Sequence, residues 1–94
     1  MTPEKTIKQK IRAYLVDEKK AYYFAPVQTG MGVSTVDILC CIAGRFVGIE
    51  VKVPGKKPTP RQAFNLKAID AAGGVAFWTD SLEYTKEMLE AAGL

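Results

Sequence analysis

A chain of 94 residues, 48 % hydrophobic and 24 % charged, has the composition of one folded domain, with a core small enough to gain from a second subunit. It has no histidine, which excludes His-based triads, imidazole-ligated zinc and a histidine general base. Its only cysteines, the adjacent Cys40 and Cys41, are too few for a zinc site and would point to opposite faces of a strand rather than form a disulfide. No apolar run is long enough to cross a bilayer and the first residues do not form a signal peptide, so the expected setting is a reducing cytoplasm with no membrane partner.

Thr2-Pro3-Glu4 is a helix start: a capping hydroxyl, Pro at the first helical position and an acid in the first turn. Ile7, Ile11, Tyr14 and Leu15 then recur at helical spacing to about residue 19, with Lys5, Lys8, Lys10 and Arg12 on the remaining faces. Residues 21–26 are aromatic and β-prone and are expected to form the first strand. Residues 27–35 carry two glycines and no period. They read as a loop leading into Asp37, of the kind whose backbone amides can approach phosphate.

Residues 36–52 are two apolar β-type runs joined by a turn at residues 43–45. Outside that turn their only ionisable acids and bases are Asp37, Glu50 and Lys52. Apolar strands normally exclude charge, because an unpaired buried carboxylate costs several kcal/mol or changes its protonation state. Residues two apart on a strand share a face, so Glu50 and Lys52 point one way and Val51 the other, into the core. A hairpin about the turn brings Asp37 level with Glu50, gathering two carboxylates and an amine on one patch. Two hard oxygen ligands suit Mg²⁺ or Mn²⁺, and a lysine beside them can orient a nucleophile or offset charge on a phosphate.

Residues 53–61 are turn-rich and basic. Thr59-Pro60 then opens a second helix to about residue 72, with Ala63, Leu66 and Ile69 on its apolar face and Phe64 alongside, ended by Gly73-Gly74. Residues 75–78 form a short buried strand, in which Trp78 is read as core or interface rather than as a base-stacking ring. Thr79-Asp80-Ser81 caps a last helix through Leu82, Tyr84, Met88 and Leu89. The order is αβββαβα, an α/β fold with a mixed sheet flanked by helices.

Asp37 followed by Glu50-Val51-Lys52 resembles the Asp…Glu-x-Lys signature of the PD-(D/E)XK nucleases, and in particular the small VRR-NUC (virus-type replication-repair nuclease) domains. The apolar lead-in from Gly48 to Lys52 and the segment from Pro58 to Gln62 match that family, and the likeness covers nearly the whole chain. Those domains usually carry Pro directly before the metal-binding Asp, where this chain has Val36. The resemblance implies a single VRR-NUC domain over residues 1–94 with a restriction-endonuclease-like core, acting as a Mg²⁺- or Mn²⁺-dependent DNA endonuclease. Asp37, Glu50 and the Val51 carbonyl would hold the metal and Glu4 would join the metal site. Lys52 would assist the attacking water, and Gln62 would position water or phosphate. Stand-alone members resemble archaeal Holliday-junction resolvases, which implies a phage or bacterial homodimer cutting branched DNA in replication, recombination or repair.

The charge distribution suits that substrate. Residues 1–67 hold twelve Lys/Arg against five Asp/Glu, while residues 68–94 hold one against five. A basic surface around an acidic pocket favours a phosphate polymer, and Lys8, Lys56, Lys57 and Arg61 are the expected DNA contacts. The competing readings are a nucleic-acid-binding module with an inactive nuclease site and an architectural factor using the basic first helix. No helix-turn-helix pattern supports the latter.

Overall fold

The computed structural model describes residues 2–27 and 35–94. Of the expected loop 27–35, residues 28–34 therefore lie outside the described residues. Among the described residues three helices, α1 (Pro3–Ala13), α2 (Pro60–Ala71) and α3 (Leu82–Ala91), surround four strands, β1 (Tyr22–Phe24), β2 (Ile38–Ile42), β3 (Arg45–Val51) and β4 (Val75–Thr79). The element order is the expected one, and the sheet is mixed: β1, β2 and β3 are antiparallel neighbours and β4 runs parallel to β3 at the edge.

Local chemistry sets most of the boundaries. The Thr2 hydroxyl accepts the Lys5 N–H at the start of α1, with Pro3 at the first helical position. Thr59 and Gln62 form a reciprocal capping box on α2, and the Ser81 hydroxyl accepts the Tyr84 N–H on α3. The β2–β3 turn has positive φ at both Ala43 (50°) and Gly44 (82°), as a two-residue hairpin loop that matches the strand twist requires.

Helix α1 continues, as expected, to about residue 19, but its last turn (Tyr14–Glu18) widens to π geometry, closed by the Lys19 N–H on the Tyr14 carbonyl at 3.2 Å. Ile11 and Leu15 are nevertheless both fully buried. Strand β1 is shorter than the sequence implied, since only Tyr22, Tyr23 and Phe24 pair with β2.

The two faces of the sheet have different fates. Ile38, Cys40 and Ile42 on β2, Val47, Ile49 and Val51 on β3, and Phe77 on β4 point to one side, where Ile11, Leu15 and Leu89 of α1 and α3 complete the core. Helix α2 lies over β3 and β4 on the other side. Its close approach depends on glycine: a Cβ on Gly74 would come within 3.1 Å of the Phe46 carbonyl oxygen, and one on Gly48 within 2.5 Å of the Ile69 side chain. Leu66 and Ile69 face the sheet, but Phe64, about 200° around the helix from Leu66, is 69 % exposed rather than part of the packed face.

Among the described residues, no helix covers the β1–β2 half of that second face. Tyr22 and Phe24 align with Cys41 and Leu39, and Cys41 aligns with Phe46. These five side chains line an apolar depression of about 380 Å³, with Tyr22, Phe24 and Phe46 each at least half exposed. The free cysteines divide as expected, Cys40 buried in the core and Cys41 exposed on this face.

Candidate active site

The hairpin register places the two acids of the patch side by side. Ile38 pairs with Ile49, so one step further along the ladder Asp37 meets Glu50. Two hydrogen bonds hold the end of β3: the Val51 N–H donates to Asp37 Oδ2 at 2.9 Å, and the Lys52 N–H donates to the Thr79 carbonyl of β4 at 2.9 Å. Asp37 thus fixes the strand that carries its partner carboxylate. Glu50 and Lys52 share the face that also carries Trp78, the register partner of Glu50 on β4.

Glu50 is only 2 % exposed, and its Oε2 is the one buried side-chain oxygen or nitrogen without a hydrogen-bond partner among the described residues. Burial is the largest influence on its carboxyl group, followed by a hydrogen bond with Asp37 and the Asp37 charge. Lys52 and Lys8 oppose these, yet the pKa still rises from its usual 4.5 to about 8. Near neutrality Glu50 therefore keeps its proton, as a carboxyl group buried beside a second carboxyl does.

A buried oxygen without a donor, beside a second carboxylate, is a site whose chemistry asks for a cation. Hard oxygen donors of this kind suit Mg²⁺ or Mn²⁺, so the residues present fit the expected ion. Asp37 and Glu50 supply side-chain oxygens, and the main chain of Val51 lies against Asp37. Glu4 does not complete a ligand set: among the described residues no three acidic, cysteine or histidine side chains gather at one point. It sits in the first turn of α1, and the side chain that reaches Asp37 comes from one turn further along. That residue is Lys8, whose Nζ lies 3.3 Å from Asp37 Oδ1.

Two further expectations change in detail. The Gln62 side-chain carbonyl accepts the Thr59 N–H at 2.9 Å, so it is committed to capping α2 rather than directed to water or phosphate at the acids. Lys8, expected on DNA, is on the acid pair. Its spacing was the available signal, because it stands three residues before the buried Ile11 and so borders the inward face of α1. Lys56, Lys57 and Arg61 are exposed on the segment and first helical turn that follow the site. Trp78 is half-buried and borders a groove of about 520 Å³ with Lys57 and Lys67.

Comparison with solved structures shows which fold positions these groups. A solved VRR_NUC domain superposes with a TM-score of 0.76 at 20 % identity, covering 96 % of this chain and 97 % of that one. The chain has the VRR-NUC fold. No protein-family model and no curated protein matches its sequence. On this nuclease-type fold, Asp37, Glu50 and Lys52 cluster at one end of the β2–β3 hairpin. No helix among the described residues is long and apolar enough to cross a membrane.

The raised pKa has a thermodynamic consequence. The folded chain retains a Glu50 proton that the unfolded chain releases above about pH 4.5. The associated stability is therefore complete below that pH, declines as pH rises towards 8 and is level beyond. Within the window the slope approaches about 1.4 kcal/mol per pH unit. Urea denaturation of the parent and of Glu50→Gln from pH 4.5 to 9 should show the variant gaining relative stability as pH rises. A constant difference between the two proteins would mean that Glu50 titrates normally.

Proposed function

We propose that this protein is a divalent-metal-dependent DNA endonuclease. The observation that carries the reading is the buried, partnerless Glu50 oxygen beside Asp37 on a VRR-NUC fold, with Lys52 on the same strand face. Asp37, Glu50 and the Val51 carbonyl are the groups that would hold Mg²⁺ or Mn²⁺, which when bound supplies an acidified water and offsets charge on the phosphate. The remaining work falls to side chains of the chain itself. The Lys52 ammonium, partly exposed beside the acids, orients the attacking water or meets the negative charge developing on the phosphate oxygens. Lys56, Lys57 and Arg61 hold the backbone of the nucleic acid next to the site.

The reading extends to a homodimer acting on branched DNA. One acid pair cuts one strand, whereas two copies about a two-fold axis present two sites to opposed strands. The bare apolar face of Tyr22, Phe24, Leu39, Cys41 and Phe46 is the surface we assign to the second copy, since contiguous exposed apolar groups mark interfaces. Tyr23 does not contribute to this surface, since it turns to the core side beneath Arg12, whose guanidinium lies 5.5 Å from its ring, and neither does Phe77, which fills the core.

Three measurements test these statements. Asp37→Asn and Glu50→Gln should each lower Mg²⁺-dependent cleavage of linear and four-way-junction DNA by at least about a hundredfold while circular dichroism stays unchanged, the scale of loss expected when a charge-stabilising group is removed. Undiminished turnover by either variant would sink the assignment, and binding without any cleavage by the parent would favour the inactive binding module. Neutralising Lys56, Lys57 and Arg61 together should weaken DNA binding for all sequences alike and reduce the salt slope by about one for each phosphate that is no longer engaged. An unaltered slope would show that these residues do not touch the backbone. Light scattering at micromolar concentration should give a dimer mass for the parent and a monomer mass for Phe46→Glu. A monomeric parent, with and without DNA and Mg²⁺, would defeat the dimer.

A further inference from the structure

The two oxygens of Asp37 have different partners. Oδ2 accepts the Val51 N–H at 2.9 Å, a main-chain bond that cannot be given up without loosening the end of β3. Oδ1 faces the Lys8 ammonium at 3.3 Å. Lys8 belongs to α1, a different element from the hairpin that carries the acids, and its charge stands at the end of a flexible four-carbon stem. Its side chain is 34 % exposed against 15 % for Asp37, so the lysine is the more solvent-accessible of the two.

A divalent cation bridging Asp37 and Glu50 would take Oδ1, the Asp37 oxygen not tied to the main chain, together with the partnerless Glu50 oxygen. An ammonium 3.3 Å from Oδ1 already engages that oxygen. It also repels a divalent ion there, because like charges a few ångströms apart in a partly buried site interact strongly.

We propose that Lys8 is a tethered competitor for the metal. It holds Asp37 Oδ1 until a divalent cation claims that oxygen, then swings towards solvent, where its charge becomes available to a DNA phosphate. The inference rests on the metal-site reading above and adds a positioning residue outside the Asp…Glu-x-Lys pattern. It also makes metal loading and DNA binding reciprocal, since each favours the outward lysine.

Calorimetric titration of the full chain with MnCl₂, in the absence of DNA, tests this directly. Lys8→Met, which keeps the apolar stem and removes the charge, should bind Mn²⁺ about three- to tenfold more tightly than the parent, the range appropriate to a partly exposed ion pair and its repulsion of the ion. Lys8→Arg, which keeps the charge, should return the affinity towards that of the parent, a result that mere loss of packing would not give. Lys8→Gln reads the same quantity if the methionine variant is poorly folded by circular dichroism. Equal or weaker Mn²⁺ binding by the neutral variants, with the parent binding normally, would overturn the role of Lys8 and leave the metal site standing. Binding by neither the parent nor the variants would overturn both.

Discussion

Two carboxyl groups in contact and largely out of water impose the constraint around which this small protein is arranged. Glu50 cannot ionise freely there, and neither group can move away. Asp37 is tied to the Val51 amide, and Glu50 lies inside a strand held by β2 on one side and β4 on the other. The protein meets the constraint with a proton kept on Glu50, a lysine from α1 and a second lysine just past the end of β3. Each of these offsets buried negative charge, which the divalent ion of the proposed reading would offset more strongly.

The sheet supplies the rigidity that such a site needs. On one face α1 and α3 seal a core of aliphatic side chains, with Thr79 and Thr85 as its fully buried polar members. Those hydroxyls do not stand alone: they lie 3.1 Å apart, and each is 2.8 Å from the Ser81 carbonyl, so they join the end of β4 to the start of α3. On the other face α2 crosses β3 and β4, made possible by the missing side chains of Gly48 and Gly74. The acids sit where the hairpin ends and the basic segment leading to α2 begins. They therefore combine a fixed backbone, a dry wall and an open, positively charged approach.

The half of the second face that α2 leaves open is a different kind of feature. Tyr22, at 78 % exposure, and Phe24, at 55 %, lie on an edge strand only three residues long. A short edge limits strand-to-strand aggregation, whereas large exposed rings invite face-to-face association. In a domain of 94 residues, whose single core is necessarily modest, covering such a face with a second copy adds burial that the monomer cannot provide.

Much of this was legible in the sequence because the relevant signals are local. Caps at Thr2, Thr59 and Ser81, the Ala43-Gly44 turn and period-two patterning locate the helices and the hairpin, and a turn between two strands sets which residues face each other across them. The adjacency of Asp37 and Glu50 and the shared face of Glu50 and Lys52 follow from that register alone. The partner of Asp37 on α1, the engagement of Gln62 in its own helix cap, and the exposure of Phe64 and Phe46 do not follow from it. Each depends on how a helix is rotated and docked on the sheet, and so on contacts between residues far apart in the chain. The resemblance could nominate Glu4 for the acid pair, but only the packing of α1 against β3 determined that Lys8, one turn later, makes the contact. Local propensity carries no information about which of two neighbouring turns will meet a distant strand.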